Sequence, residues 1–209
     1  MRPPIEGDET WIDLMRHGEP HGGRRYRGAQ DDPLSERGWE QMRQAPIDTE
    51  ALTAIVTSPL SRCRDFAEAL AGEHALPLTV EAGFREIGFG DWEGLTPAEL
   101  HERDPQAQAR FWADPLRYTP PNAEPMDAFQ ARVVASWQAL LERCRGEHLL
   151  LIGHGGLIRV VLAHLMEMPL QGFNRLYVPY ACVTRVRVEP GAEPTLYFHN
   201  RTSRSEGER

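Results

Sequence analysis

A doubly wound α/β fold, built as a three-layer α/β/α sandwich with helices on both faces of a mostly parallel sheet, is what this sequence predicts. Three observations carry it. Short apolar runs alternate with helical patterns, two of those runs end in a histidine followed by glycine, and 209 residues suffice for one sizeable core.

Strands are expected at 11–16, 53–57, 77–81 and 148–153, with a C-terminal hairpin at 183–188 and 194–199. The first, around Ile12-Asp13-Leu14-Met15, reads as a buried strand although Asp13 interrupts it, and the fourth, Leu149 to Gly153, is a continuous apolar run of the kind that a sheet covered on both faces requires. Ser35 fits the N-cap of a helix running through Trp39 and Met42. Ser58 fits the cap of a second, with Pro59 at its first helical position and Arg62 in its first turns. A long helix from Met126 to Arg145 places Phe129, Val133, Trp137, Leu140 and Leu141 on one face, a core stripe. Between these, 96–125 breaks the alternation with short helical segments and a proline-rich loop. It reads as a lid-like insertion over the sheet edge within a single domain spanning 1–200, and 201–209 reads as a disordered tail.

The two histidines point to chemistry. In an open α/β sheet the ligand crevice lies at the carboxyl ends of the strands, so Arg16-His17-Gly18-Glu19 and His154-Gly155-Gly156 are expected to face one site. A neutral imidazole can attack phosphorus while a second, cationic one holds phosphate oxygens, which implies phosphoryl transfer through a phosphohistidine. Arg62 belongs near the same sheet edge. Glu86 lies in a glycine-broken, aromatic-rich loop, Phe84 to Gly94, where desolvation favours an acid that can deliver a proton.

Arg-His-Gly, Ser-Pro-Leu-x-Arg, the Arg85 to Gly94 block and Gly-His-Gly-Gly-x-Ile-Arg, in this order, resemble the histidine phosphatase superfamily, which includes the phosphoglycerate mutases. The resemblance runs from about Trp11 to about Val161 and implies a phosphoglycerate mutase-like fold. It implies that His17 becomes phosphorylated, that Arg16, Arg62 and His154 bind the phosphoryl oxygens, and that Glu86 protonates the leaving alkoxide. Planar guanidinium forks suit the charge that spreads over equatorial oxygens during transfer. Gly155, Arg27 and Gly28 are placed with Arg16, Arg62 and His154 as substrate-binding residues. No metal site and no cofactor are expected.

Within the family, the stretches Gly22 to Leu34 and Phe111 to Pro121 look most like bacterial alpha-ribazole phosphatases, which implies hydrolysis of alpha-ribazole 5'-phosphate in cobalamin biosynthesis. A phosphoglycerate mutase or a broad-specificity sugar-phosphate phosphatase is the alternative, and a catalytically silent phosphate-binding module the third reading. The chain departs from the family at Pro20, where Thr or Ser is frequent, and at Cys63 and Phe66, where Ala and Thr are common.

Composition works by exclusion. All 23 residues in the Lys+Arg count are arginine, so a Walker phosphate loop and a Schiff-base pyridoxal enzyme both lack their lysine. None of Cys63, Cys144 and Cys182 has an arginine six positions later, as cysteine phosphatases require, and no Gly-x-Ser-x-Gly, His-Glu-x-x-His or Cys-x-x-Cys occurs. A formal charge of −8 opposes nucleic-acid binding, so the expected partner is a small phosphate ester. No run approaches the ~20 apolar residues of a membrane span, and three cysteines without a framework suit a reducing compartment, so a cytoplasmic location is expected. A homodimer stays open, since no sequence signature speaks to oligomeric state.

Overall fold

The apolar runs become strands of one six-stranded sheet. The structure, a computed structural model, describes residues 9–202. Its strands are β1 (Thr10–Arg16), β2 (Ala54–Thr57), β3 (Leu78–Val80), β4 (His148–Gly153), β5 (Val183–Val188) and β6 (Thr195–Arg201). They lie in the order β3-β2-β4-β1-β5-β6. β4 runs parallel to β1 and β2, and β3 runs parallel to β2, whereas β5 pairs antiparallel with β1 and with β6. The expected strands are all present.

Side chains alternate across this sheet, and each face meets its own helices. Helices α1 (Glu36–Arg43) and α2 (Ser61–His74) cover one face, where Met42, Cys63, Phe66 and Ala67 pack on Met15, Ile55, Leu150 and Ile152. On the other face α5 (Met126–Arg143) and α6 (Gly155–Leu165) bring Phe129, Val133, Trp137, Leu157 and Ile158 against Ile12, Leu14, Leu149 and Leu151. Strand β4 is therefore buried along its whole length. That gives the three layers.

Residues 96–125 form α3 (Pro97–Arg103) and α4 (Ala107–Ala113), followed by the proline-rich loop. Thr96 and Glu99 close a reciprocal capping box at the start of α3, and Leu100, Ala107 and Phe111 join the apolar cluster of the α5–α6 face. No helix among the described residues is long and apolar enough to cross a membrane.

Two boundaries differ from expectation. Helix α2 starts at Ser61 rather than just after Ser58, with Leu60 at the cap making no side-chain bond there. The Ser58 backbone N–H is still donating to Ile152 at 3.0 Å, so the chain leaves the sheet only afterwards. Arg201, assigned to a disordered tail, is the last residue of β6 and pairs with Val183. The remainder of that tail, 203–209, lies outside the described residues, as does 1–8.

Candidate active site

Register brings the two histidines together. Arg16 is paired with Gly153 across β1 and β4, so the next residue on each strand is a histidine, and the His17 N–H donates to the Gly153 carbonyl at 2.9 Å. The imidazole centroids are 5.3 Å apart.

His17 is buried, and its Nδ1 lies 2.7 Å from the Gly18 carbonyl. A carbonyl only accepts, so Nδ1 holds the proton and the lone pair falls on Nε2. Burial pushes the His17 pKa well below its ordinary value, reinforced by the charges of Arg16 and Arg62 and opposed by the Gly18 bond. His154 is fully buried, with Nε2 at 2.7 Å from the Ser58 hydroxyl and 3.6 Å from the Cys63 sulfur. Burial, then Arg62, His17 and Arg16, hold it well below the ordinary value too. Both rings are neutral near pH 7. The charge that the sequence suggested for the second histidine is thus disfavoured in this environment, whereas Arg16 and Arg62 beside His17 are cations.

Arg62 has no exposed surface and donates to the carbonyls of Gln30 at 2.8 Å and Gly28 at 2.9 Å. Arg16 donates to the Val178 carbonyl at 2.7 Å, and its guanidinium carbon sits 4.2 Å over the Tyr180 ring. In each, Nε is buried without a hydrogen-bond partner among the described residues. Among the described residues neither guanidinium pairs with a carboxylate. A buried cation without a counter-charge is costly, which makes the fully buried Arg62 a candidate anion ligand, with the half-buried Arg16 a second.

Glu86 is buried at the rim of the same group. Its carboxylate accepts from Ile87 N–H at 3.0 Å and from Gly156 N–H at 2.9 Å, the latter inside the first turn of α6. A Cβ on Gly156 would collide with the Glu86 carboxylate, which is why glycine stands there. Together Arg16, Glu86, Gly155 and Gly156 wall part of a cleft of about 940 Å³. Phe89, Phe111, Trp112 and Tyr180 line it too, and so do Arg24, Arg37 and Arg159.

Of the expected substrate-binding residues, Gly155 starts α6 beside Arg16. Arg27 lines the cleft, but its guanidinium donates to Asp32 at 2.6 Å and to the carbonyls of Gly23 and His21, which ties its own loop together. Gly28 presents its carbonyl to Arg62, so it orients that cation. Tyr118 lines a separate cavity of about 420 Å³ with Arg103 and Arg117. Among the described residues no group of three His, Cys, Asp or Glu could hold a metal ion.

Sequence reasoning missed three neighbours of this group. Ser58 read as a helix cap, whereas its hydroxyl bonds His154. Tyr180 follows a segment without periodicity and had no signal. Arg159 ends the Gly-His-Gly-Gly-x-Ile-Arg motif and was given no role, although a cation one turn into a helix that begins at the site was a usable signal.

The sequence profile of the histidine phosphatase superfamily (branch 1) matches residues 12–201. The bifunctional protein Rv2228c of Mycobacterium tuberculosis is 32% identical over 183 residues, covering 85% of this chain and 50% of that protein. The chain thus spans about half the length of that relative. The glucosyl-3-phosphoglycerate phosphatase of Mycolicibacterium vanbaalenii is 30% identical over 197 residues, with 86% and 87% covered. The crystal structure of the alpha-ribazole phosphatase from Shigella flexneri superposes with a TM-score of 0.78 at 25% identity, covering 94% of this chain and all (100%) of that one.

Proposed function

The chain belongs to the histidine phosphatase superfamily, branch 1, and on that premise we propose that it hydrolyses phosphomonoesters through a phosphohistidine at His17, with alpha-ribazole 5'-phosphate as substrate. One observation carries the reaction class: the buried Arg62 and the half-buried Arg16, each with a buried Nε that has no partner among the described residues, stand beside a neutral imidazole whose free lone pair is on Nε2.

In the first step the His17 Nε2 lone pair forms the N–P bond as the ester P–O bond breaks, and Glu86 gives its proton to the departing alkoxide. In the second, the Glu86 carboxylate takes a proton from water, the hydroxide oxygen bonds to phosphorus, and His17 leaves with its Nδ1 proton still shared with Gly18. Arg16, Arg62 and the neutral His154 take the oxygens on which charge accumulates. A positioned acid is worth roughly 10² to 10⁴ in rate for an alkoxide leaving group.

Likeness to the Shigella flexneri enzyme supports the substrate, and so does the aromatic wall of Phe89, Phe111 and Trp112, which suits a flat base on the leaving group. A second reading has its own observation. Arg24 and Arg37 line the cleft, and such cations suit the carboxylate of a phosphoglycerate ester, the substrate type in the Mycolicibacterium vanbaalenii enzyme's name. Phosphate release in EDTA from alpha-ribazole 5'-phosphate, glucosyl-3-phosphoglycerate, 3-phosphoglycerate and nucleotides separates them. A dominant kcat/KM on alpha-ribazole 5'-phosphate is expected. A preference for the glycerate esters would transfer the assignment, and no release from any ester would remove hydrolysis altogether.

A further inference from the structure

Helix α6 opens His154-Gly155-Gly156-Leu157-Ile158-Arg159. Helical side chains lean toward the N-terminus, so a long residue one turn in returns its end group to the helix start. Arg159 does this. Its Nη1 lies 3.2 Å from the point where a Cβ on Gly155 would stand, and Arg16 Nε lies 3.4 Å from the same point. Two guanidiniums therefore meet at the positive end of a helix dipole, an arrangement that repels itself and attracts an anion. The Arg159 Nε donates to the Leu176 carbonyl at 2.9 Å, which fixes the plane of the fork, and the side chain lines the cleft. Burial and the Arg16 charge together lower its affinity for a proton, against the pull of Glu86.

We propose that Arg159 is a further substrate-binding residue: a third guanidinium that reaches the phosphoryl oxygens beside Arg16. The proposal rests on the reading of the site as a phosphoryl pocket, and it adds a cation to the pocket of Arg16, Arg62, His17 and His154. A rival role is bracing: through Nε, Arg159 could act only by holding the Leu176 carbonyl in place.

Calorimetric titration with inorganic phosphate separates these, because binding is read without turnover. Arg159→Met, which keeps the stem but removes every donor, is expected to weaken phosphate about tenfold or more, and Arg159→Lys to recover part of that affinity although it lacks the Nε bond. Unchanged phosphate affinity in Arg159→Met overturns the proposal and leaves the bracing role, whose mark is a lowered melting temperature that lysine does not restore. Should Arg159→Met not fold, Arg159→Gln, which removes the charge but keeps a polar side chain, decides in its place. A phosphate affinity weakened severalfold or more supports the proposal, and an affinity equal to the parent's contradicts it. If the parent binds phosphate yet forms no phosphoenzyme, the hydrolytic reading fails while Arg159 keeps its role; if the parent binds no phosphate, both fail.

Discussion

A histidine in water is half protonated near pH 6.5 and has no fixed tautomer; His17 has neither property. Burial keeps it neutral, and the Gly18 carbonyl decides which nitrogen holds the proton. Such a nucleophile needs no separate base. It does need an acid for the leaving group, and the reading places that burden on Glu86. Glu86→Gln keeps shape and most hydrogen bonds while removing the transferable proton. Turnover of an alkyl phosphate is expected to drop about 10²-fold or more, while p-nitrophenyl phosphate, whose leaving group barely needs protonation, loses much less. Equal losses on the two esters would exclude the acid role. His17, His154, Arg16, Arg62 and Glu86 were legible in the sequence because each sits in a motif. Their hydrogen-bond partners were not, since Ser58 obeys the rules of a helix cap as well as it serves His154, and Tyr180 reaches Arg16 only through the tertiary fold.

At the level of elements, the β1–β4 pairing sets the distance between histidines, and the start of α6 sets the position of Glu86. Apolar runs made β1, β2 and β4 legible, and Ser35 does cap α1 through the Gly38 N–H. The start of α2 was misplaced because local cap chemistry cannot report that the Ser58 N–H is held by β4. Gly156 links backbone to chemistry. Alanine there favours the helix by about 1 kcal/mol over glycine, yet its methyl group would displace the Glu86 carboxylate. Gly156→Ala is therefore expected to lower kcat on alkyl phosphates by tenfold or more with the melting temperature within a few degrees of the parent. Retention of full kcat would mean that the Glu86–Gly156 contact does not set the geometry of the reaction.

Over the whole molecule, an acidic chain of net charge −8 concentrates buried positive charge at one end of its sheet. The other end holds the reverse arrangement, a buried Asp13 that accepts from Arg185 at 2.7 Å and lies 3.0 Å from His148 Nε2. Burial alone would raise the Asp13 pKa, but the bonds from Arg185 and His148 bring it below 3.8. These groups fix how stability depends on pH. His17 and His154 stay neutral when folded but take up protons below about pH 6.5 when unfolded, so stability falls as pH drops through that value, by up to about 1.4 kcal/mol per unit for each. Asp13 works at lower pH, where its contribution, full above the unfolded carboxylate value, is lost as the folded group protonates. Urea midpoints are expected to decline already between pH 6.5 and 5, before the carboxylates titrate, and less steeply in His17→Asn. A flat profile over that interval would contradict neutral buried histidines.

The sheet could be inferred from periodicity alone, but the cleft depends on loops from four parts of the chain, and no local pattern encodes where such loops meet. What those loops assemble is tested most directly by trapping the covalent intermediate. Brief reaction with a phosphate ester, acid-free quenching and mass spectrometry should locate one phosphoryl group on His17, acid-labile and base-stable, and absent from His17→Ala. A phosphoryl group on any other residue, or its persistence in His17→Ala, would contradict the account.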